Sequence, residues 1–431
     1  MEFEDYNKYR DLFIGVDEPV QLANGNMIMP IGFDNGATTP SLKSSYNTLC
    51  EGLITYGAVA RGTGQKSEIT TEKYEEARQI VLDFFNVGDD SRYTAIFCKT
   101  TTEGMNLLAN ILIKDKEEKV LTTRMEHHAN DLPWRDRATV EYVEVDKQGR
   151  LCVDEIESKL KENKGKIKYV TVTGASNVTG YVNPIHEIAE ICHKYNAKII
   201  VDGAQLVAHK EVDMKGNNYD DEIDFLVFSG HKAYAPYGSG AIIGLKENLC
   251  KGSPFLKGGG CVKAVTDYDV IYHQSYELQE AGTPNCLGAM AMATSLQQLK
   301  DIGFDNIYDH EMTLKEFIID EMKKIDEVIM YGDNENIDDR LGTIAFNIYN
   351  QDYKKMGKRF ADEMGIALRT GKFCAHPYVN RLMGVSDEVA CYNAYNNKPI
   401  NGMMRASLGL YNTMEDARAF IAYIKYLVSN L

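Results

Sequence analysis

The stretch Val227-Phe228-Ser229-Gly230-His231-Lys232 closes an apolar run that begins at Phe225 and reads as a buried strand. The lysine therefore falls just past a strand's end. Upstream, Ile199-Ile200-Val201 is a second such run, and it ends in Asp202-Gly203-Ala204-Gln205. A lone lysine after a strand is ordinarily a solvated surface charge. What lies at the neighbouring strand ends decides whether it is more.

Working outward, strands and helices alternate. Glu68–Phe85 has helical periodicity (Tyr74, Ala77, Ile80, Val81, Phe84), and Thr94-Ala95-Ile96-Phe97 reads as a strand. Thr100-Thr101-Thr102-Glu103-Gly104 then opens a helix that continues through Asn106–Leu112. Threonines there cap the helix, and the same geometry points free N–H groups and hydroxyls outward as a phosphate site. The strand Lys119–Thr123 runs into Glu126-His127-His128-Ala129-Asn130. Adjacent histidines do not share a helix face, so the pair does not read as a metal site, whereas one imidazole could lie flat on an aromatic ring. A strand near Tyr169–Val172 leads to Ser176-Asn177-Val178-Thr179-Gly180, a helix covers Ile185–Tyr195, and a strand occupies 198–201.

This alternation predicts an α/β domain with a mainly parallel sheet covered by helices on both faces. Ligands bind such sheets beyond the carboxyl ends of the strands. Thr101 and Thr102, His127, Asn177, Asp202 and Gln205, and Ser229, His231 and Lys232 all fall at those ends. An acid at one strand end and a lysine at a later one suit pyridoxal 5'-phosphate (PLP). The amine condenses with the cofactor's aldehyde, and the carboxylate keeps the pyridine nitrogen protonated.

Bulk properties are those of an ordinary soluble globular protein. The 431 residues are 44% hydrophobic and 26% charged, room for two domains. A formal net charge of −16 argues against nucleic acid or an anionic membrane as partner. No apolar run approaches the ~18 residues of a membrane span. The N-terminus carries no signal-peptide pattern, and nine scattered cysteines without C-x-x-C or metal-like spacing suit a reducing cytoplasm.

Beyond the lysine, Gly258-Gly259-Gly260 and Glu280-Ala281-Gly282-Thr283-Pro284-Asn285 are turn-like. A helix over roughly Leu287–Ile302 is predicted to lead to a second domain. That domain should hold a helix from about 305, strands near Thr343–Ile348 and at Ala367-Leu368-Arg369, and a closing helix from Met414. The polar, Asn- and Tyr-rich stretch 376–402 reads as a loop or lid.

These residues resemble the class V aminotransferase-like enzymes of fold type I, and within them the cysteine desulfurase/selenocysteine lyase branch of the SufS type. The resemblance runs from about residue 30 to the C-terminus. Its motifs are Phe33-Asp34-Asn35-Gly36-Ala37-Thr38-Thr39-Pro40, Thr101–Asn106, Glu126–Asn130 with Pro133-Trp134, Ser176–Gly180, Val201–Gln205, Phe228–Lys232, Glu280–Asn285, Arg369-Thr370-Gly371-Lys372-Phe373-Cys374-Ala375 and Arg405-Ala406-Ser407. It implies a large domain over 31–296 with a mostly parallel seven-stranded sheet. It also implies a smaller α+β domain formed by 1–30 and 297–431, and a homodimer.

Carried over, Lys232 would hold PLP and move the Cα proton, and His127 would stack on the ring and assist proton transfer. Asp202 would pair with the pyridinium nitrogen, and Asn177 and Gln205 would contact the ring oxygen. Thr101, Thr102, Ser229 and His231 would hold the phosphate, with Thr283 supplied by the other subunit. Ala37, Asn177, Arg369 and Arg405 would bind an amino-acid substrate, Arg405 clamping its carboxylate. Cys374 would attack the substrate's sulfur, with Lys372 and Arg369 favouring the thiolate.

The implied reaction converts L-cysteine (selenocysteine also fits) to L-alanine with a persulfide on Cys374, for delivery to a sulfur-acceptor protein. Two departures touch the substrate pocket. Ala60 and Gly64 stand in the 59–65 loop where the family usually has histidines, and the segment after Cys374 is longer than usual. They leave open a C–S β-lyase of the same class acting on a thioether or modified cysteine. A non-catalytic scaffold would be expected to lack Lys232, Asp202 or Arg405, and all three are present.

Overall fold

Seven apolar runs pair into one sheet in the computed structural model, which describes residues 9–60 and 62–431. Expectations that touch residues 1–8 or Arg61 lie outside the described residues. The strands are β1 (Tyr93–Cys98), β2 (Lys119–Thr123), β3 (Thr139–Val143), β4 (Ile167–Thr173), β5 (Lys198–Asp202), β6 (Phe225–Ser229) and β7 (Gly240–Leu245). Their spatial order is β1-β7-β6-β5-β4-β2-β3. Neighbours from β6 to β3 pair in parallel, while β7 runs antiparallel to both β6 and β1. The carboxyl ends of β1, β2, β4, β5 and β6 therefore share one edge.

Both faces of this sheet are covered, which is why its strands read as unbroken apolar runs. Leu226 and Phe228 join one hydrophobic cluster with Val201, Val172 and Leu121, while Phe225 and Val227 join another with Ile200, Ile242 and Trp134. The Thr101–Leu112 helix lies against this second face so closely that a Cβ on Gly104 would stand 2.5 Å from a Val227 methyl. Only glycine permits that approach.

A second, four-stranded antiparallel sheet follows: β8 (Val328–Tyr331), β9 (Thr343–Ile348), β10 (Arg369–Gly371) and β11 (Met403–Ser407), in the order β8-β9-β11-β10. Helices Phe304–Met322, Tyr353–Met364 and Met414–Ser429 supply Leu314, Ile318, Phe360, Phe420 and Ile424 to its core around Phe346. The Met414 helix starts on a capping box between Thr413 and Asp416. Helix Cys286–Ile302 leads from one core to the other.

Three sequence expectations need correction. Ala367–Arg369 is not one strand. Ile366–Ala367 pairs in parallel with Ile31–Gly32, the chain changes partner at Leu368, and Arg369–Gly371 pairs with Met403–Arg405. The stretch 376–402 is not a plain loop, because helices His376–Leu382 and Asp387–Tyr395 occupy most of it. Pro377 in the first turn of one, and Ser386 capping the other before Asp387 and Glu388, are the start signals. The Asp387–Tyr395 helix buries no residue and so has no apolar stripe to betray it. The third is an omission: the strand that carries Arg405, Met403–Ser407, has no counterpart among the expected elements.

Candidate active site

The five strand ends open onto one cavity of about 330 Å³, within the range usual for small-molecule sites. Thr101, Thr102, His127, Asn177, Asp202, Gln205, Ser229, His231 and Lys232 all line it, joined by Ala37, Arg369, Cys374 and Arg405. Thr283 does not reach it. It lines a separate hollow with Ala58, Val59, Ala60, Gly259 and Gly260. Gly64 caps the Gln65–Phe84 helix instead of facing the cavity.

The floor is built from the large sheet. Thr100 caps the Thr101–Leu112 helix, and Ser229 Oγ accepts the Thr101 N–H at 2.8 Å while lying 2.8 Å from Thr101 Oγ1. A cluster of hydroxyls and a helix N-terminus thus meet at one end of the cavity. Asp202 is buried, and its Oδ1 accepts the Ala204 N–H at 3.0 Å. Burial raises the Asp202 pKa, against the lowering pull of that hydrogen bond and of the Lys232 charge. For Lys232, burial pushes the ammonium down to about 8, Asp202 opposes this, and the Arg405 charge adds to it.

His127 Nδ1 accepts the Ala129 N–H at 3.0 Å, which leaves its proton on Nε2. Burial, followed by the charges of Lys232, His128 and Arg405, pushes its pKa down to about 3, so the ring is neutral. His231 is held by its backbone, whose carbonyl accepts the Thr39 N–H at 3.0 Å and the Thr38 hydroxyl at 3.1 Å. Burial and Lys232 lower its pKa to about 4. Gln205 Nε2 donates to the Gly36 carbonyl at 2.7 Å. A Cβ on Gly36 would lie 3.0 Å from Arg405 Nη2, so the glycine lets the 33–40 turn close over that arginine.

Behind the floor lies a carboxyl that the strand-end pattern does not single out. Glu126 is buried and accepts from Thr123 Oγ1 (2.6 Å), Asn130 Nδ2 (2.7 Å) and the Thr173 N–H (2.9 Å). Asn130 Oδ1 in turn accepts from Trp134 Nε1 and Thr171 Oγ1. Burial pushes Glu126 up to about 8, with the Asp202 charge adding to the rise against these donors. Its place at the head of the Glu126–Asn130 motif, directly before His127, is what the sequence offers.

The rim comes from the small sheet and the 33–40 turn. Arg405 is 2% exposed, and donates through Nη1 to the Asn177 carbonyl at 2.7 Å and through Nη2 to Asp34 Oδ1 at 3.3 Å. Its Nε is buried without a partner among the described residues. Burial lowers its pKa to about 10, and Asp34 opposes that. Asp34 also pairs with Arg369 at 3.1 Å, so one carboxylate bridges both arginines. Asp34 sits within one of the family-like motifs, yet its role is visible only in three dimensions.

Cys374 is exposed at the end of a tight turn. The Ala375 N–H closes it on the Lys372 carbonyl at 2.8 Å, with Phe373 at φ 51° and Cys374 at φ 53°. Two left-handed central residues make this a type I′ turn, normally the province of Gly and Asn. Each non-glycine residue there costs on the order of 1–2 kcal/mol, so tertiary bonds must hold it. They do: Asn177 Nδ2 donates to the Phe373 carbonyl and the His128 N–H to the Cys374 carbonyl, both at 2.7 Å. Lys372, expected beside the thiolate, is instead tied to Asn380 Oδ1 at 2.6 Å and buried.

Comparison with known proteins agrees with this geometry. The aminotransferase class-V family profile matches residues 31–420. Among curated proteins, a "Probable cysteine desulfurase" of Pyrococcus abyssi is 33% identical over 413 residues, covering 93% of this chain and 95% of that protein. A cysteine desulfurase of Escherichia coli is 34% identical over 371 residues, 84% of each chain. Among solved structures, the cysteine desulfurase of Thermococcus onnurineus superposes with a TM-score of 0.82 at 30% identity, covering 93% of this chain and 95% of that one. The cysteine desulfurase CsdA of Escherichia coli gives 0.81 at 25% identity over 98% of both chains.

Proposed function

The chain belongs to the aminotransferase class-V family, and from that footing we propose that it is a PLP-dependent cysteine desulfurase. It converts L-cysteine to L-alanine and leaves a persulfide on Cys374; selenocysteine is accepted as an alternative substrate. The observation that carries the reading is the placement of an exposed thiol on a tethered turn at the same cavity as Lys232 and Arg405.

The donor set fits PLP. A buried acid, an amine pulled toward neutrality, a neutral imidazole and a hydroxyl-rich helix N-terminus surround one hollow. Thr101, Thr102, Ser229 and His231 would hold its phosphate, Asp202 would pair with the pyridine nitrogen, and Asn177 and Gln205 would contact the ring oxygen. When bound, PLP supplies the sink for the electron pair released at the substrate's Cα.

The chain's own groups do the rest. Lys232, neutral more readily than an exposed lysine, would hold the cofactor and take the substrate's Cα proton. His127 would cover the ring and has its Nε2 proton to offer. Arg405 and Arg369, already arranged around the Asp34 carboxylate, take the substrate carboxylate, with Ala37 beside it. The Cys374 thiolate attacks the substrate Sγ: an S–S bond forms, Cβ–Sγ breaks, and Cβ keeps the electron pair and gains a proton. One sulfur moves, alanine leaves, and no outside oxidant or reductant is consumed.

The assembly is proposed in the same terms. A homodimer is supported by Thr283, which lies away from this chain's cavity and serves a site if a second copy presents it there. Exposed apolar side chains on helix Lys43–Ile54 (Leu53, Ile54) and on the 262–272 hairpin (Val265, Ile271) support it further. Two separate cores support a large and a small domain, proposed over 31–296 and the remainder, although Tyr9, Phe13 and Val16 pack into the large core and Ile31 and Phe33 into the small one. Nine free thiols support a reducing, cytoplasmic setting, and the exposed Cys374 supports transfer to an acceptor protein. No described helix is long and apolar enough to cross a membrane.

The test is turnover of L-cysteine by wild type and Cys374→Ala, following alanine, pyruvate and sulfide separately. Alanine from wild type, with a large loss in the variant, is expected. Pyruvate in its place, unaffected by the substitution, would move the protein to a C–S β-lyase, a reading that the diversion of Lys372 to Asn380 favours.

A further inference from the structure

Three groups at the rim lock onto one another. Asn177 binds the Phe373 carbonyl through its side chain, and Arg405 binds the Asn177 carbonyl, both at 2.7 Å. The Arg405 guanidinium stands 5.1 Å from the centre of the Phe373 ring, within reach of a cation–π attraction. The Phe373 side chain belongs to a buried apolar cluster with Met125, Val178, Ala345 and Tyr378, which limits its freedom to move. Phe373 is also the residue directly before Cys374, and the two share the strained two-residue turn.

We propose that Phe373 is a positioning residue that couples occupancy of Arg405 to the placement of the Cys374 thiol. The inference rests on the reading above, in which Arg405 receives the substrate carboxylate. An arriving carboxylate competes with Asp34 for the guanidinium and can engage its unpartnered Nε. That redistributes the charge facing the ring and shifts where the guanidinium rests. Because the turn has only two central residues, a shift of the Phe373 ring is transmitted to the φ and ψ of Cys374. The thiol is thereby brought to Sγ when a carboxylate is in place and held off when it is not.

The test uses PLP-loaded enzyme and the rate at which iodoacetamide labels Cys374, read at that peptide by mass spectrometry so that the exposed Cys391 does not interfere. In wild type, saturating L-alanine should change the labelling rate at least fivefold. Phe373→Leu, which keeps apolar volume without a π face, should lose this response while alanine still perturbs the cofactor's visible absorbance. It should also lower kcat for L-cysteine about tenfold with KM within threefold of wild type, and Phe373→Tyr should restore both. An unchanged response in Phe373→Leu would overturn the coupling and leave simple shielding of the thiol by alanine. A rise in KM alone, with kcat intact, would overturn it too. If L-alanine gave no spectral change in wild type and L-cysteine gave no alanine, the desulfurase reading itself would have failed, a result distinct from either of these.

Discussion

Lys232 and Cys374 face one cavity from two walls that are built differently. Lys232 follows a strand whose five residues are all buried, and its neighbours at the cavity, Asp202 and Thr101, likewise sit where regular elements end. Cys374 sits in a turn that its own sequence disfavours, held by an amide from Asn177 and an N–H from His128. The floor owes its geometry to the large sheet, and the Cys374 turn owes its geometry to residues that follow the strands of that sheet. The difference teaches that cofactor chemistry and sulfur chemistry are separable here in one direction only. Damage to the floor should silence both, whereas damage to the rim should spare the floor.

The sharpest way to break this comparison is to remove each reactive group in turn. Lys232→Ala should abolish the cofactor's visible absorbance and reduce alanine formation by about 10³-fold or more, measured by spectroscopy and product assay on the purified protein. Cys374→Ala should reduce alanine formation by about 10²-fold or more. It should nevertheless keep the absorbance and still exchange the Cα proton of bound L-alanine with deuterated solvent, followed by NMR. Loss of that exchange in Cys374→Ala would mean the two walls are one unit.

A subtler probe concerns the carboxyl behind the floor. Glu126 is raised from 4.5 to about 8, so the folded chain binds a proton that the unfolded chain releases. The stability this contributes is full below about pH 4.5 and is lost as pH rises through about 8. Glu126→Gln should therefore gain stability relative to wild type across that window and level off above it, as read by urea unfolding at a series of pH values. A difference independent of pH would mean that Glu126 is ionised in the fold. Smallest of all, Ser386→Ala removes the cap of the Asp387–Tyr395 helix, at a cost of about 1 kcal/mol. Hydrogen exchange should quicken in that helix alone, with the cofactor absorbance unchanged.

The same division explains what the amino-acid sequence discloses. Each floor residue stands within a few positions of a buried strand, so apolar runs alone are enough to locate Asp202, Asn177 and Lys232. The rim offers no such guide. Asp34 and Arg405 are 371 positions apart; their segments meet at a single bridge, Asp34 to Ser407, and the neighbouring pairing of Ile31–Gly32 with Ile366–Ala367 is two residues long. No periodicity can be read from two residues. The Asp387–Tyr395 helix escapes for the opposite reason: it is long enough to show a period but buries nothing that would create one. Resemblance supplies Arg405 and Cys374, while the roles of Asp34, Glu126 and Phe373 emerge only from contacts.

The parallel pairing of Ile31–Gly32 with Ile366–Ala367, and the bridge from Asp34 to Ser407, also set an order of events during synthesis. The large sheet has all its strands once Leu245 has left the ribosome, but residues 31–37 must wait for Ile366 to Ser407 before they find their neighbours. A nascent chain can thus set out the strand ends that carry Asp202, Ser229 and Lys232 well before Arg369 and Arg405 exist to close the rim over them.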